Sequence, residues 1–241
     1  MQSNYIGYNF EKSRERIDNI LNSSDNSYKE DNSIPSRDKL TYTNGFYVNC
    51  TALFVDIRNS SSLPQKYKRP KLAKIYRSYI SEIVAVINGN VNCSEINVQG
   101  DCVWAIFNTP YQSNISEVFS TAAQISSIID ILNYEYTRKG IDEISIGIGI
   151  DYGRALMIKA GYSGSGINDV VWMGDVVNKA CKLCSYANKN YYQDREIMVS
   201  KVFYKNLNED NQKLLELNYN HQCYHGNVVN INMSDWFKEN C

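Results

Sequence analysis

Strand-like segments that arrive in adjacent pairs between long helical patterns constrain the fold of this chain most. Residues 47–56 predict a strand, and residues 63–88 predict a helix because apolar residues recur at three- and four-residue steps. "EINVQG" and "DCVWAIF" predict a hairpin joined at Gly100-Asp101, and a second long helix follows over about 115–138. Adjacent strand pairs favour antiparallel pairing. The pattern therefore predicts an α/β fold of the α+β type, with a mixed, mostly antiparallel sheet and flanking helices.

The remaining segments continue this alternation. "EISIGIGIDYG" and "RALMIKAGY" predict a second hairpin, "DVVNKACKLCSYANK" a third helix and "EIMVS" a strand. A helix over "KVFYKNLNEDNQKLLE" and a terminal hairpin over "HQCYHGNVVNINM" complete the order. Near the N-terminus, residues 10–21 have a weak helical period and residues 22–45 are polar and rich in turn formers. We therefore expect a helix and an extended arm over residues 1–45 and one globular domain over residues 46–241.

Composition narrows the class of partners. The 25 Lys and Arg residues against 26 Asp and Glu leave a net charge of −1, which predicts neither a nucleic-acid partner nor an acidic membrane surface. No apolar run approaches the ~18 residues of a membrane helix, and the N-terminus lacks an apolar signal core. The seven cysteines have irregular spacing, which favours free thiols in a reducing compartment. We expect a cytoplasmic protein.

Two carboxylates lie where neighbouring strand ends would meet. Asp56 ends the first predicted strand, and Asp101 lies at the turn of a hairpin that could lie beside it. Two acids at one sheet edge repel each other unless a cation lies between them, and Mg²⁺ and Mn²⁺ prefer carboxylate oxygens and substrate phosphates. The serine-rich turn at 59–62 opens a helix, where backbone N–H groups attract anions. This combination predicts a nucleoside-triphosphate site.

Each of these features also has a purely structural interpretation. An Asp before a helix is commonly an N-cap, and a Gly-Asp pair is an ordinary hairpin signal. A third feature is Asn178, four positions before Lys182 on one predicted helix face, where the pair could hold a sugar and a phosphate. Such a pair is more often a solvated helix face. Only the combination of the three features favours a functional site.

Four motifs in order carry a resemblance. "FVDIRNSSSL", "INVQGDCVWAIF", "ISIGIGIDYGRALMIKAGY" and "WMGDVVNKACKL" resemble the ferredoxin-like catalytic domain of class III nucleotidyl cyclases, over about residues 47–232. The upstream "IPSRDKLTYTNGFYVNCTALFVDIRNSS" more narrowly resembles the bacterial pyrimidine cyclases of Pycsar antiphage systems, which make cyclic UMP or cyclic CMP. The resemblance implies a second messenger that acts on a separate effector activated by the cyclic nucleotide.

The resemblance implies a role for each matched position. Asp56, Asp101 and the Ile57 carbonyl would bind two Mn²⁺ or Mg²⁺ ions. Asn178 would orient the ribose, and Lys182 would stabilise charge while the 3′-hydroxyl attacks the α-phosphorus in line and pyrophosphate leaves. The turn that would hold the triphosphate through backbone N–H groups consists of Arg58, Asn59, Ser60 and Ser61.

Two positions depart from the family pattern. The family usually has Arg where this chain has Lys182, and a lysine supplies charge without a bidentate fork. The family also has a phosphate-binding Lys in a terminal "GKG"-like turn, where this chain reads "YHGNV" with His225 or Asn227. Either the triphosphate is held differently, or another cation such as Arg58 takes part.

The positions that would read the base are Asn97 and Val171. Cyclases for ATP have Lys and Asp at the matching positions, and cyclases for GTP have Glu and Cys, so the resemblance argues against both purines. Asn97 can donate and accept hydrogen bonds and could pair with uracil or cytosine, and Tyr47 could fill the space of a purine. We expect UTP, with CTP as the alternative, because an amide and backbone donors suit two carbonyl oxygens.

The assembly and two rival functions follow from the same residues. In the family, metal and ribose groups come from different subunits, so the resemblance implies a symmetric homodimer with two composite sites. A non-catalytic nucleotide-binding domain is one rival, and a diguanylate-type enzyme is disfavoured because no "GGDEF"-like run exists. A zinc module is the other rival. Its candidate ligands are Cys181, Cys184, His221, Cys223 and His225.

Overall fold

The computed structural model describes residues 2–190 and 193–241. The strands are β1 Tyr28–Glu30, β2 Gly45–Ile57, β3 Cys93–Gln99, β4 Cys102–Asn108, β5 Ile146–Tyr162, β6 Ile167–Met173, β7 Ile197–Val199, β8 Glu216–Asn218 and β9 Cys223–Gly226. The helices are α1 Phe10–Leu21, α2 Leu63–Lys66, α3 Arg69–Asn88, α4 Gln112–Arg138, α5 Asp175–Tyr186, α6 Lys201–Lys205, α7 Glu209–Gln212 and α8 Ile231–Asn240.

Two compact units divide the chain. The smaller unit comprises Met1–Asn49 and Arg154–Asp175, and the larger comprises Cys50–Gly153 and Val176–Cys241. In the smaller unit, β1 pairs in parallel with the start of β2, and β6 pairs antiparallel with the second half of β5. The segment predicted as an extended arm therefore contributes a short strand to a sheet.

The sheet order β3-β4-β2-β5-β7-β9-β8 confirms the predicted fold class. The β2–β4, β3–β4, β7–β9 and β8–β9 pairs are antiparallel, and β5–β7 is parallel. The predicted hairpin at Gly100-Asp101 is present, with Gly100 at a φ of 66°. Its register places Val55 of β2 opposite Val103 of β4, so the end of β2 lies beside the β3–β4 turn.

Successive residues of β5 face opposite sides of the sheet, so one face of the strand packs in the main core and the other packs against α5. Ile146, Ile148 and Ile150 are fully buried in the main core, on one face of the strand. The alternate positions Gly147 and Gly149 face α5 instead. A Cβ at Gly149 would lie 2.7 Å from the Cys184 Cα and would clash still more closely with backbone atoms of α5. The Ile-Gly alternation therefore lets α5 lie directly on the sheet.

The second predicted hairpin is wrong. Residues 146–162 form one continuous strand, and the partner of its second half is β6, which follows the turn at 163–166. Gly153 has no left-handed backbone conformation, whereas Gly164 and Gly166 have φ of 84° and 78°. The chain therefore reverses at Gly164 and Gly166 and not at Gly153, because the backbone of the turn needs positive φ.

The end of the chain also differs from the prediction. Strand β9 pairs with β8, and the predicted second strand of the terminal hairpin is replaced by α8. Asn230 ends the extended segment because its side chain accepts a hydrogen bond from the Met233 amide and caps α8. Two predicted single helices are interrupted, one between α2 and α3 at residues 67–68 and one between α6 and α7 at residues 206–208.

Helix α4 is the longest apolar element among the described residues. It is long and apolar enough to cross a membrane by length and composition, with a mean hydropathy of 1.2 over its most apolar window. The sequence prediction had not singled it out in this way. However, 61% of that window is buried inside the protein, and its side chains such as Val118, Ile125 and Ile129 belong to the main core.

We predict that Gly149→Ala destabilises the protein because the new methyl group would overlap the backbone of α5. The expected loss is about 1–3 kcal/mol of unfolding free energy, measured by chemical denaturation. Gly153→Ala is the matched control on the same strand, since its Cβ would meet the Val176 Cβ at an ordinary 3.6 Å. Equal stability of the two variants would contradict the close packing of α5 against β5 at Gly149.

Candidate active site

Asp56 and Asp101 lie together, as the sequence predicted. Asp56 stands near the end of β2, and Asp101 follows Gly100 in the β3–β4 turn. The Asp101 carboxyl group is close enough for its charge to raise the pKa of Asp56. Asp101 Oδ2 is buried and has no hydrogen-bond partner among the described residues. The turn chemistry of the hairpin thus brings two acids to one edge of the sheet.

The electrostatics of this pair favour a cation. Burial, and then the neighbouring Asp101 charge, raise the pKa of Asp56 from 3.8 to about 6, while the Arg58 charge opposes this rise. A buried carboxylate oxygen without a donor is costly. A divalent ion would relieve both the repulsion and the missing partner, so these residues fit Mg²⁺ or Mn²⁺. The remaining ligands would be a backbone carbonyl and substrate oxygens.

The serine-rich turn lies directly beside Asp56. Asn59 is left-handed, with a φ of 55°, and Ser60–Ser62 form a 3₁₀ turn before α2. The amides of Asn59, Ser60 and Ser61 have no acceptor within the part of the chain that the structure describes, whereas the Ser62 amide donates to the Asn59 carbonyl. Such a run of unpaired N–H groups is the geometry that holds phosphate oxygens.

A cavity of about 370 Å³ lies beside Asp56 and the serine-rich turn. Its lining includes Asp56, the Asn59–Ser61 turn and three residues that sequence reasoning missed, Ser185, Asn188 and Lys189. No motif marked these three positions, because their place depends on how the end of α5 packs. A larger cavity of about 980 Å³, between α3 and α4, contains none of the predicted site residues.

Arg58 occupies a different place from the rest of the predicted turn. Its amide donates to the Ser145 carbonyl at 2.8 Å. Its guanidinium donates to Asp56 Oδ2 at 3.0 Å and to the Ser185 carbonyl at 3.4 Å, and the side chain is only 10% exposed. The Arg58 groups therefore point into the protein, and the outward amides begin at Asn59.

Asn178 and Lys182 lie exposed on α5, and neither lines the cavity beside Asp56. The Lys182 Nζ lies 5.9 Å from the centroid of the Tyr186 ring. Within one chain, Asp56 and the Asn59–Ser61 turn thus share one cavity, and Asn178 and Lys182 lie outside it.

The predicted base-reading residues belong to both units. In the larger unit, the Asn97 Nδ2 donates to Glu95 Oε1 at 3.3 Å. In the smaller unit, Val171 of β6 lies opposite Ile158 of β5. The Arg154 Cζ lies 3.7 Å from the centroid of the Tyr47 ring. Arg154 is also ion-paired to Glu30.

The terminal turn offers no phosphate-binding cation in this structure. His225 is 5% exposed, and its Nδ1 accepts a hydrogen bond from the Arg195 amide at 3.2 Å. Burial lowers the pKa of His225, so the ring is neutral near pH 7. Asn227 Oδ1 accepts from the Glu196 amide at 3.0 Å. Both side chains thus hold β7 and β9 together.

The zinc alternative finds no support in the geometry. Among the described residues, no group of three or more His, Cys, Asp or Glu side chains is arranged to hold a metal ion. Cys184 is buried, and its Sγ donates to the Gly147 carbonyl at 3.1 Å, which places it in the contact between α5 and β5. His221 stacks on Tyr186 with ring centroids 4.1 Å apart.

Comparison with known proteins decides the family. A model of the adenylate and guanylate cyclase catalytic domain matches residues 43–222. The chain belongs to this family. It is 42% identical to a uridylate cyclase from Gulbenkiania mobilis over 100% of both chains. It is 37% identical to a uridylate cyclase from Treponema porcinum over 96% of this chain and 82% of that protein.

The fold agrees with this membership. The crystal structure of the adenylyl cyclase CyaB from P. aeruginosa superposes with a TM-score of 0.61, at 19% identity, over 71% of this chain and 84% of that chain. At this identity the likeness shows the fold. The predicted resemblance to class III cyclases is therefore confirmed, and the sheet, the acid pair and the turn can be interpreted as parts of a cyclase domain.

We predict that Asp56 destabilises the metal-free protein as pH rises. Its folded pKa of about 6 exceeds the ordinary 3.8, so the folded state binds more protons between these values and stability falls across this window. Above about pH 6, Asp56→Asn should be more stable than the wild type. The measurement is urea denaturation of both proteins, in the presence of a metal chelator, from about pH 4 to about pH 7.5, a range that extends to both sides of the folded pKa. If the stability difference between Asp56→Asn and the wild type does not grow as pH rises, the raised pKa of Asp56 is contradicted.

Proposed function

We propose that this chain converts UTP to 3′,5′-cyclic UMP and pyrophosphate. The observation that carries the proposal is the Asp56–Asp101 pair, with its unpartnered buried oxygen, beside a turn of three unpaired amides. The two uridylate cyclases that share 42% and 37% identity over nearly the full chain support the substrate. We also propose that the catalytic domain spans residues 46–241, after a helix and arm over residues 1–45.

In the proposed mechanism each group of the chain has one task. Asp56, Asp101 and the Ile57 carbonyl hold two divalent ions, Mn²⁺ or Mg²⁺, which when bound supply Lewis-acid activation of the 3′-hydroxyl and neutralise triphosphate charge. The Asn59–Ser61 amides hold the triphosphate. Asn178 hydrogen-bonds the ribose, so that the 3′-oxygen lies in line with the α-phosphorus. Lys182 stabilises the charge on the phosphoryl oxygens as pyrophosphate leaves.

The contacts of Asn97 fit a pyrimidine base. Its Nδ2 donates one hydrogen to Glu95, which orients the amide and leaves Oδ1 as an acceptor. Uracil N3–H can donate to that oxygen, while the second Nδ2 hydrogen can meet O4. Cytosine N4–H and N3 could meet the same two groups, so the preference for UTP in this proposal rests on the similarity to the two uridylate cyclases. In the proposal, Val171 and Tyr47 complete the base site, with an apolar contact and a ring that leaves no room for a purine.

The separation of the two halves of the site supports a homodimer. Asp56 and the Asn59–Ser61 turn line one cavity, whereas Asn178 and Lys182 are exposed on α5 and do not line it. In a twofold dimer, each active site would combine the acids of one subunit with Asn178 and Lys182 of the other. We further propose that the enzyme is cytoplasmic and that its product activates a separate effector in defence against phage.

We predict that purified protein with Mn²⁺ makes cyclic UMP from UTP and little product from the other three ribonucleoside triphosphates. Mass spectrometry of the reaction products is the measurement. Asp56→Ala and Asp101→Ala should each abolish turnover, because one carboxylate cannot hold two ions, and Lys205→Ala serves as a control outside the site. Thermal unfolding should show that both variants are folded. Product from ATP but not from UTP or CTP would overturn the base assignment.

We also predict that mixed dimers recover activity. Asp56→Ala and Asn178→Ala should each be inactive alone, with Asn178→Ala lowering kcat by about 10²–10³. Co-refolded or co-expressed, the two variants form heterodimers in which one composite site has every group intact. Recovery of cyclic UMP synthesis in the mixture is the readout. If the mixture is no more active than the Asn178→Ala protein, the groups act within one subunit.

A further inference from the structure

Arg58 and Lys189, the two cations that line the cavity beside Asp56, differ in what they contact. Arg58 is committed inside the protein, where it donates to Asp56 Oδ2 and to the Ser185 carbonyl. Lys189 is exposed, and its side chain has no ion pair or hydrogen bond with any described residue. Of these two cations, Lys189 is therefore the one whose ammonium group is available to a ligand in the cavity.

Lys189 lies beside the serine-rich turn because both segments are hydrogen-bonded to backbone carbonyls at the start of β5. The Arg58 amide donates to the Ser145 carbonyl at 2.8 Å. The Asn188 Nδ2 donates to the next carbonyl along the strand, that of Ile146, at 3.0 Å. Two consecutive carbonyls thus anchor the turn before Asn59 and the corner before Lys189, which fixes the two as neighbours.

The corner that carries Lys189 is held by its backbone. Asn188 adopts a left-handed conformation with a φ of 52°, and its amide donates to the Arg195 carbonyl at 3.0 Å. The Lys189 amide donates to the Tyr186 carbonyl at 3.2 Å. The Cα of Lys189 is therefore fixed at the mouth of the cavity, while the long side chain remains free to follow a ligand.

A triphosphate in this cavity meets negative potential as well as N–H groups. The Asp56 carboxylate lines the wall, and the C-terminal end of α5, at Ser185, carries the negative end of the helix dipole. Arg58 compensates both, since it contacts Asp56 and Ser185. Two bound divalent ions would neutralise part of the charge of a triphosphate, and Lys189 is the exposed cation of the cavity lining that could neutralise more, whereas the terminal turn supplies none because His225 is buried.

We infer that Lys189 binds the β- or γ-phosphate of the substrate while the Asn59–Ser61 amides hold the same triphosphate from the other side. Arg58 orients Asp56 and does not contact the ligand. This inference rests on the proposed function, because it assigns a further residue to the same nucleotide site. It predicts that Lys189 acts on binding of the phosphate chain and not on recognition of the base.

The test compares Lys189→Ala, Lys189→Gln and Lys189→Arg with the control Lys205→Ala, a lysine of α6 outside the cavity. We expect Lys189→Ala and Lys189→Gln to raise KM for UTP about tenfold, and to raise the inhibition constants of pyrophosphate and tripolyphosphate similarly, as expected for one charge-assisted contact. Inhibition by uridine, which lacks phosphate, should not change. Lys189→Arg should restore most of the affinity, and thermal unfolding should report all four variants as folded.

The outcomes separate this inference from the proposed function. If wild-type protein makes no cyclic UMP from UTP, the proposed function fails. If wild-type protein does so, and Lys189→Ala and Lys189→Gln leave KM and both phosphate inhibition constants unchanged, the assignment of Lys189 alone is overturned. Equal weakening of uridine and pyrophosphate inhibition would also overturn it, because that result indicates a general distortion of the site.

Discussion

The repulsion between Asp56 and Asp101 is the constraint around which the larger unit is organised. Folding holds two carboxyl groups close enough for the charge of Asp101 to raise the pKa of Asp56, and among the described residues it leaves one oxygen of Asp101 buried without a partner. Like charges this close raise the free energy of the metal-free protein. The fold maintains them because β2, β3 and β4 are neighbours in one sheet with fully buried side chains between them and the helices. The stability of the core therefore holds the acids in the arrangement that a divalent cation requires.

A second consequence of this arrangement is the division of tasks among cations. Arg58 lies in the interior, where it neutralises part of the Asp56 charge and satisfies a carbonyl at the end of α5. It can reach this place because Gly147 has no side chain: a Cβ there would lie 3.0 Å from the Arg58 Cζ. The glycines of β5 thus set the position of α5 and the position of Arg58 together. In the proposed site, the charge that binds the phosphate chain is therefore assigned to Lys189, at the mouth of the cavity.

Much of the fold was predictable because it depends on local chemistry. The β3–β4 hairpin follows from a Gly-Asp turn between two short apolar runs, and α3 and α4 follow from their helical period. The hairpin predicted at Gly153 was wrong because a glycine indicates freedom at φ but not its use: β5 remains extended there and turns only at Gly164 and Gly166. The terminal strand was wrong because the apolar run after β9 becomes a helix once Asn230 caps it.

The sequence by itself determined the chemical inventory: two acids at predicted strand ends and turns, a serine-rich turn before a helix, and an Asn and a Lys spaced on one helix face. These depend on residue type and on spacing along the chain, and both are visible in the letters. Tertiary structure alone decided which cation is buried and which is available, that His225 joins two strands, and that Ser185, Asn188 and Lys189 line the cavity. Those outcomes depend on contacts between segments far apart in sequence, where the reach and burial of each side chain are set by packing.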